Sequence, residues 1–222
     1  MKNSKTTIMN MDTTFLKIIA IISMVIDHAG SVFFPSSLLM RSIGRIAFPL
    51  FTYSIMIGYF NTKNINKYII RLLVVGIISQ PIYMLLFNIN TPNIMFTLVF
   101  EVLLYYALDN KKWWYLPFLV IIPFTLKFDY ALIYLFLVPM FYYFRNNKFL
   151  LFLSYTAFYF NYALDTEIYF NNIPSCLTAC SIFALPFILI NTNTKFKINK
   201  YFFYIFYPLH LLLLFVIKYI IM

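Results

Sequence analysis

Ionisable side chains inside long apolar runs are where chemistry is to be sought in this chain, because each is costly to hold away from water. Asp27 and His28 fall in the first such run, Arg41 and Arg45 in the second, Glu101 in the fourth and His210 in the last. His28 and His210 are the two histidines of the sequence. An imidazole beside a carboxylate is suited to general-base work near neutral pH. A guanidinium such as Arg45 can steady a developing negative charge or orient Asp27. His210 could be a second acid/base or an orienting donor. Arg41 and Arg45 are one helical turn apart, whereas His28 lies about 100° round a helix from Asp27. Asp27 is therefore expected to bond an arginine or a neighbouring helix. Each residue also has a structural alternative. A buried Asp–Arg pair can simply set helix register, and Arg41 can snorkel to an interface. Glu101 can be protonated and structural, and His210 can cap a kink behind Pro208.

Depth gives these residues a common place. At about 1.5 Å of rise per residue through an apolar core of about 30 Å, His28 falls about 10 Å below the outer face. By the same rise Arg45 falls about 7 Å and Glu101 about 12 Å below it, with His210 near the midplane. Four segments thus bring polar groups to one layer, the geometry of a buried site in the outer half of a membrane. Asn93, Thr97 and Glu101 follow at i, i+4 and i+8, which stacks them on one helix face. Ala20, Ser23, Asp27 and Ser31 form a small and polar stripe that lets helices approach closely.

The elements that must position these groups follow from composition. Of 222 residues, 63% are hydrophobic, 22% aromatic and 11% charged, where a soluble domain has roughly a quarter charged. A soluble fold of this size could not hide so much apolar side chain, and a bilayer has no need to. Apolar runs divided by charged or Asn/Pro-rich joints predict nine helices: Phe15–Phe34, Met40–Phe60, Tyr68–Phe87, Asn93–Leu108, Trp113–Leu126, Tyr130–Phe144, Phe149–Tyr162, Pro174–Ile190 and Tyr201–Ile221. The expectation is an all-α polytopic membrane protein with about nine transmembrane helices in a single bundle, residues 1–222 forming one transmembrane domain. The polar stretch Met1–Met11 has no small-residue cleavage site after the first run, so that run is expected to be a retained anchor rather than a signal peptide.

Loop charges orient the chain. With the N-terminus inside, one side receives Lys2, Lys5, Lys63, Lys67, Lys111, Lys112, Arg145, Lys148, Lys195, Lys197 and Lys200. The other receives Arg41, Arg45, Lys127 and Lys218, with Asp165 and Glu167. That alternation is a positive-inside pattern for a multi-pass plasma-membrane protein with a cytoplasmic N-terminus and an extracytoplasmic C-terminus. The net charge of +10 then serves anionic lipid and topology, and with no basic stripe it does not point to nucleic acid. Cys176 and Cys180 share one apolar segment without a nearby histidine, so they predict helix packing and no metal site. With four glycines and no internal repeat, a transporter built from inverted repeats is disfavoured.

The order of these residues resembles a known family. Leu-Lys-Ile-Ile-Ala-Ile-Ile-Ser-Met-Val-Ile-Asp-His (Leu16–His28) is similar to the opening helix of the TraX family, and Gly-Arg-Ile-Ala-Phe-Pro-Leu-Phe (Gly44–Phe51) continues the likeness. Gly58-Tyr59, Tyr68, Arg71-Leu72-Leu73, Ile78-Ser79-Gln80-Pro81, Asn93 to Leu98, Asp129-Tyr130 and Phe206-Tyr207-Pro208-Leu209-His210 extend it in order. The chain departs from the family pattern at Ala131, where a glycine is usual, and at Glu101, where a small residue is expected. The resemblance implies a multi-spanning membrane acetyltransferase, named for proteins that acetylate the N-terminus of pilin. More distantly it resembles membrane acyltransferases that modify surface glycans.

On that resemblance, acetyl-CoA is the expected co-substrate and an extracytoplasmic peptide amine or glycan hydroxyl the acceptor. A thioester is already activated, so the protein must mainly deprotonate the acceptor and stabilise an oxyanion. His28 occupies the position of the base, with Asp27, Arg45 and His210 beside it as catalytic candidates. Lys63, Lys67 and Arg71, at the start of the third run, suit the phosphates of CoA, although positive-inside charge alone also accounts for them. Arg41, Asn93, Glu101, Asp129 and Tyr130 are the candidates for acceptor binding. The alternative from another class is a small permease or proton/solute relay using the same polar layer. It needs a continuous polar path, and the intervening residues are mostly aliphatic and aromatic. A non-catalytic scaffold leaves the polar layer without a shared reason.

Overall fold

The computed structural model describes residues 9–164, 169–170, 173–195 and 198–221. Lys2, Lys5, Asp165, Glu167 and Lys197, which carry part of the expected charge asymmetry, lie outside them.

The described residues are all-α apart from a two-residue strand pair, Tyr169–Phe170 with Ile173–Pro174. Every expected run contains helix, some of it broken, but nine full spans are not supported. Among the described residues, four stretches are long and apolar enough to cross a membrane: Thr13–Phe33, Leu38–Asn61, Ile65–Phe87 and Tyr201–Ile221. The first is α1 (Thr13–Phe33), the second is divided into α2 (Leu38–Gly44) and α3 (Ala47–Asn61), and the third is α4 (Ile65–Phe87). The fourth lies within α11 (Lys200–Ile221). Between them come α5 (Ile94–Asp109), α6 (Leu116–Thr125), α7 (Ala131–Phe144) and α8 (Lys148–Leu164), then the short α9 (Ser175–Thr178) and α10 (Leu185–Leu189) joined by the 3-10 segment Ala179–Ala184. A 14-residue helix such as α7 is about 21 Å long, well short of a core of about 30 Å.

Proline and capping explain the breaks. Pro49 has no N–H to give the Arg45 carbonyl. There the backbone tightens, with Arg45 N bonded to Ser42 O and Ile46 N to Ile43 O, both at 3.2 Å. Asp12 starts α1 by accepting from Phe15 N at 3.0 Å, and Asn64 starts α4 by accepting from Lys67 N at 2.9 Å, the ordinary chemistry of an N-cap. Asn88 closes α4 in the left-handed conformation, at φ 55°, which asparagine tolerates better than most residues.

The described residues form two compact units. One draws on Met1–Ser54 and Met140–Lys197, the other on Ile55–Pro139 and Ile198–Met222. In the first, α1 packs on α2, α2 touches α9, and α8 packs on α9 and the 3-10 segment. The chain before α1 is tied to α10. Asn10 N donates to Ile188 O at 3.0 Å, and Asn10 Nδ2 donates to Phe187 O at 2.9 Å.

In the second unit, α4 packs on both α5 and α11, and α5 on α6. Lys218 Nζ donates to Leu86 O at 2.8 Å, while the Arg71 guanidinium lies 6.0 Å from the Tyr204 ring. Low numbers meet low and high meet high, so α4 and α11 run parallel. A clip joins α4 to the start of α5. Asn93 Nδ2 donates to Gly76 O at 2.8 Å and Gln80 Oε1 at 2.9 Å, and Asn93 Oδ1 accepts from Met95 N at 3.0 Å. Helices α4 and α11 carry exposed rows, Ile70, Val74 and Ile77 on one and Ile205, Leu209 and Leu212 on the other. In a membrane protein such rows face lipid.

Candidate functional site

Asp27 is the centre of the first unit's polar group. Arg45 Nη2 donates to both its carboxylate oxygens, at 3.0 and 3.2 Å. Arg41 Nη1 meets Asp27 Oδ1 at 2.9 Å and the Asp27 carbonyl at 3.1 Å. Arg45 Nε donates to Arg41 O at 3.2 Å, which locks the two arginines to each other. The Arg45 carbonyl that Pro49 leaves without an amide accepts from Ser181 Oγ at 2.9 Å. Gly44 completes the arrangement, since a Cβ there would collide with the Asp27 side chain.

Asp27 thus pairs with the arginines, and Arg41 does so as well rather than snorkelling. Among the described residues, one carboxylate faces two guanidiniums in a group mostly shielded from water, an excess of positive over negative side chains. His28 is half-buried one residue further along α1, about 100° round the helix from Asp27.

The second unit holds the remaining candidates. Glu101 is fully buried on α5 and acts electrostatically on Tyr68 and Tyr134. Arg71 lies between the Tyr68 and Tyr204 rings, 6.0 Å from each, so it turns toward aromatic neighbours while Lys63 and Lys67 are exposed. Tyr68 also packs tightly against α3, where a Cβ on Gly58 would come within 2.6 Å of its hydroxyl. Asn93 has its whole amide engaged in the α4–α5 clip. His210 is buried and stacked on Phe206 with the rings 9° from parallel. Its Nδ1 lies 3.1 Å from Phe206 O. A carbonyl only accepts, so Nδ1 is the donor in this contact. The carbonyl freed by Pro208 belongs to Tyr204, so this contact does not cap that kink.

Asp129 accepts from the Tyr83 hydroxyl at 2.5 Å, and its backbone carbonyl accepts from Thr97 Oγ1 at 2.9 Å. Tyr130 follows at φ 61°. Asp129 and Lys218 mark one end of the α4–α11 pair, Lys67 and Arg71 the other.

Several contributors escaped the apolar-run criterion. Tyr83 and Gln80 look like ordinary helix residues until their partners are known. Lys17 sits half-buried on α1, and its charge within an apolar run was a usable signal. Asp12 is a second example. It accepts from Thr194 N at 2.6 Å and Thr194 Oγ1 at 2.9 Å. Partial burial pushes its carboxyl pKa up, but the Phe15 and Thr194 amides and the threonine hydroxyls outweigh that and hold it below the ordinary value. Among the described residues, no group of three or more His, Cys, Asp or Glu side chains could hold a metal ion.

Comparison with known proteins gives these residues a context. The chain is 35% identical over 104 residues to the "Probable fimbrial assembly protein FimC, serogroup H1" of Dichelobacter nodosus, covering 40% of this chain and 43% of that protein. It is 33% identical over 84 residues to an uncharacterized protein of Rickettsia prowazekii (strain Madrid E), covering 37% and 32%. The matched part is thus less than half the length of either relative. No solved structure matches. The model of the TraX protein family matches residues 12–218, which takes in the Asp27 cluster, the Asp129 turn and His210. With four long apolar stretches among the described residues and a family match over nearly its whole length, the chain is a membrane protein that belongs to the TraX family.

Proposed function

We propose that this protein is a membrane-embedded acetyltransferase that takes an acetyl group from cytoplasmic acetyl-CoA to an amine or hydroxyl on the far side of the plasma membrane. The observation that carries the proposal is the Asp27 group. A carboxylate held by two guanidiniums, with a histidine next to it on α1, lies in the opening motif of a TraX-family chain.

His28 takes a proton from the acceptor as its nitrogen or oxygen attacks the thioester carbon. The new C–N or C–O bond forms while the carbonyl electrons move to oxygen. The surplus positive charge of Arg41 and Arg45 favours that oxyanion. When the oxyanion collapses, the C–S bond breaks and the CoA thiolate leaves, taking up the proton held by His28. Asp27 orients the arginines. Lys63 and Lys67 supply exposed charge for the CoA phosphates, with Arg71 behind them.

Orientation is supported by the parallel pairing of α4 and α11. The end bearing Lys63, Lys67 and Arg71 is the more basic one, so it belongs in the cytoplasm, and the C-terminus of α11 then lies outside. The fimbrial assembly name of the Dichelobacter nodosus relative favours a pilin-like peptide amine as acceptor over a surface glycan.

The test uses the protein in lipid nanodiscs with labelled acetyl-CoA and either a peptide amine or a glycan. Wild type should transfer label, or release CoA slowly to water. His28→Ala should cut turnover by about two to four orders of magnitude with CoA affinity unchanged. Retained turnover removes His28 as the base. Absence of both transfer and CoA release in wild type overturns the acetyltransferase reading in favour of a permease.

A further inference from the structure

The turn between α5 and α6 gathers lysine charge, two indoles and an apolar helix face within a few residues, and the transfer chemistry uses none of them. Helix α5 ends in a tight cap, where Asn110 N donates to Tyr106 O at 3.1 Å and Lys112 N to Ala107 O at 2.9 Å. Lys111 sits in that cap at φ 54°, the left-handed place usually given to glycine. The 3-10 turn Trp113–Tyr115 follows and leads directly into α6.

Some of these side chains are held and others open. Lys112 Nζ donates to the Tyr106 hydroxyl at 3.0 Å and lies 5.0 Å from the centre of that ring. Tyr106 in turn meets Tyr115 edge-on. Asp109 accepts from the Tyr59 hydroxyl at 3.0 Å. Lys111 is exposed, and Trp113 and Trp114 are 51% and 63% exposed. Phe118 and Ile121, also exposed, lie three residues apart and continue the surface along one face of α6. The Tyr59–Asp109 bond brings the end of α3 to the end of α5, so exposed Lys63 and Lys67 stand at the same end.

We infer that the α5–α6 turn is a binding site for the headgroup of an anionic phospholipid. Lys111 and Lys112 supply charge for the lipid phosphate. Indoles favour the junction of headgroup and hydrocarbon, and their N–H groups donate to headgroup oxygens. The acyl chains then run along Phe118 and Ile121. A soluble polyanion would match the lysines alone, whereas a phospholipid matches charge, indoles and apolar face in the order the chain presents them. Such a site also answers a need of the fold. Helix α6 has 10 residues, about 15 Å, and cannot set its own depth by length in a core of about 30 Å. Lipid binding here stands whether or not the protein transfers acetyl groups.

Trp113 and Trp114 are the two tryptophans of the sequence, so indole fluorescence reads this turn alone. The full chain is reconstituted in bilayers holding equal amounts of phosphatidylcholine and phosphatidylglycerol, with bromine on the acyl chains of one lipid or the other. Quenching in wild type should show a preference for phosphatidylglycerol of about fivefold, the worth of one lysine at an anionic surface. In Lys111→Gly with Lys112→Gln the turn is kept, because glycine takes the left-handed backbone and glutamine can still donate to Tyr106. There the preference should vanish while both lipids continue to quench. Equal quenching in wild type, a preference unchanged in that double variant, or indoles that neither lipid quenches overturns the site. If the double variant does not fold, wild type in rising salt decides: a preference built on lysine charge weakens, and one that stays constant overturns the site. Lys63→Gln with Lys67→Gln separates a site from general basic charge. Most of the preference should survive in that variant, and a loss as large as in the turn variant overturns the assignment to the α5–α6 turn.

Discussion

Removing Arg45 leaves the Asp27 carboxylate with Arg41 as its one described ion-pair partner, and the side chains of Asp27 and Arg45 are only 14% and 7% exposed. Breaking a buried ion pair by deleting one member typically costs about 3–5 kcal/mol. Arg45→Ala is therefore expected to destabilise by an amount toward the lower end of that range, about 3 kcal/mol, because Arg41 still compensates the charge. Arg45→Lys should recover only part of it, since an ammonium cannot match the two-oxygen contact. Thermal unfolding in detergent measures both, and stability equal to wild type in Arg45→Ala would show the pair to be energetically idle. Gly44→Ala should harm folding through a different route, by pushing the Asp27 side chain off its arginines. The pairing was legible from sequence because the arginines are one turn apart and an intramembrane carboxylate needs a partner. Gly44 carried no such signal, because only three-dimensional packing shows what its missing Cβ would strike. For the same reason Asn93 read as an acceptor-facing polar residue, whereas the geometry engages it between α4 and α5.

At the scale of elements, the tie between the start of α1 and the segment after α10 is a pH-sensitive contact. The Asp12 carboxyl is held below the ordinary range by the Phe15 and Thr194 hydrogen bonds. A carboxylate with a depressed folded-state pKa contributes stability above its unfolded pKa and loses it as pH falls through the folded value. Protection of the Thr194 amide against hydrogen exchange should therefore persist at neutral pH and weaken below about pH 4. In Asp12→Asn that acid-side change should disappear. The same weakening in Asp12→Asn would assign it to another group. At the start of α4, Lys67→Ala should weaken CoA binding by about 1–3 kcal/mol, the worth of a hydrogen bond to a charged group, and leave stability nearly untouched because Lys67 is exposed. Arg71→Ala should lower both affinity and stability, since the guanidinium also packs between Tyr68 and Tyr204. Affinity unchanged in both variants would reduce these cations to topology signals. The nine helical runs were readable from hydropathy, but their ability to span was not. Proline in α6, α7 and α11 and the 3-10 turn before α10 change length and path in ways that an apolar count does not register.

At the scale of the molecule, the account is one of sidedness. Basic residues gather at one end of the α4–α11 pair, while Asp129 and Lys218 stand at the other. Labelling of single cysteines places those ends. A cysteine at Lys63 should react only after permeabilisation of cells, and one at Lys127 should react in intact cells. The reverse pattern would invert the proposed orientation. The most direct test of the central claim encloses an acceptor peptide in proteoliposomes, selects the population whose basic end faces outward, and adds labelled acetyl-CoA outside. Acetylated peptide should accumulate within the vesicles, and His28→Ala should abolish it while CoA still binds. Label that stays outside, or reaches the peptide only when donor and acceptor share one compartment, would contradict transfer across the membrane.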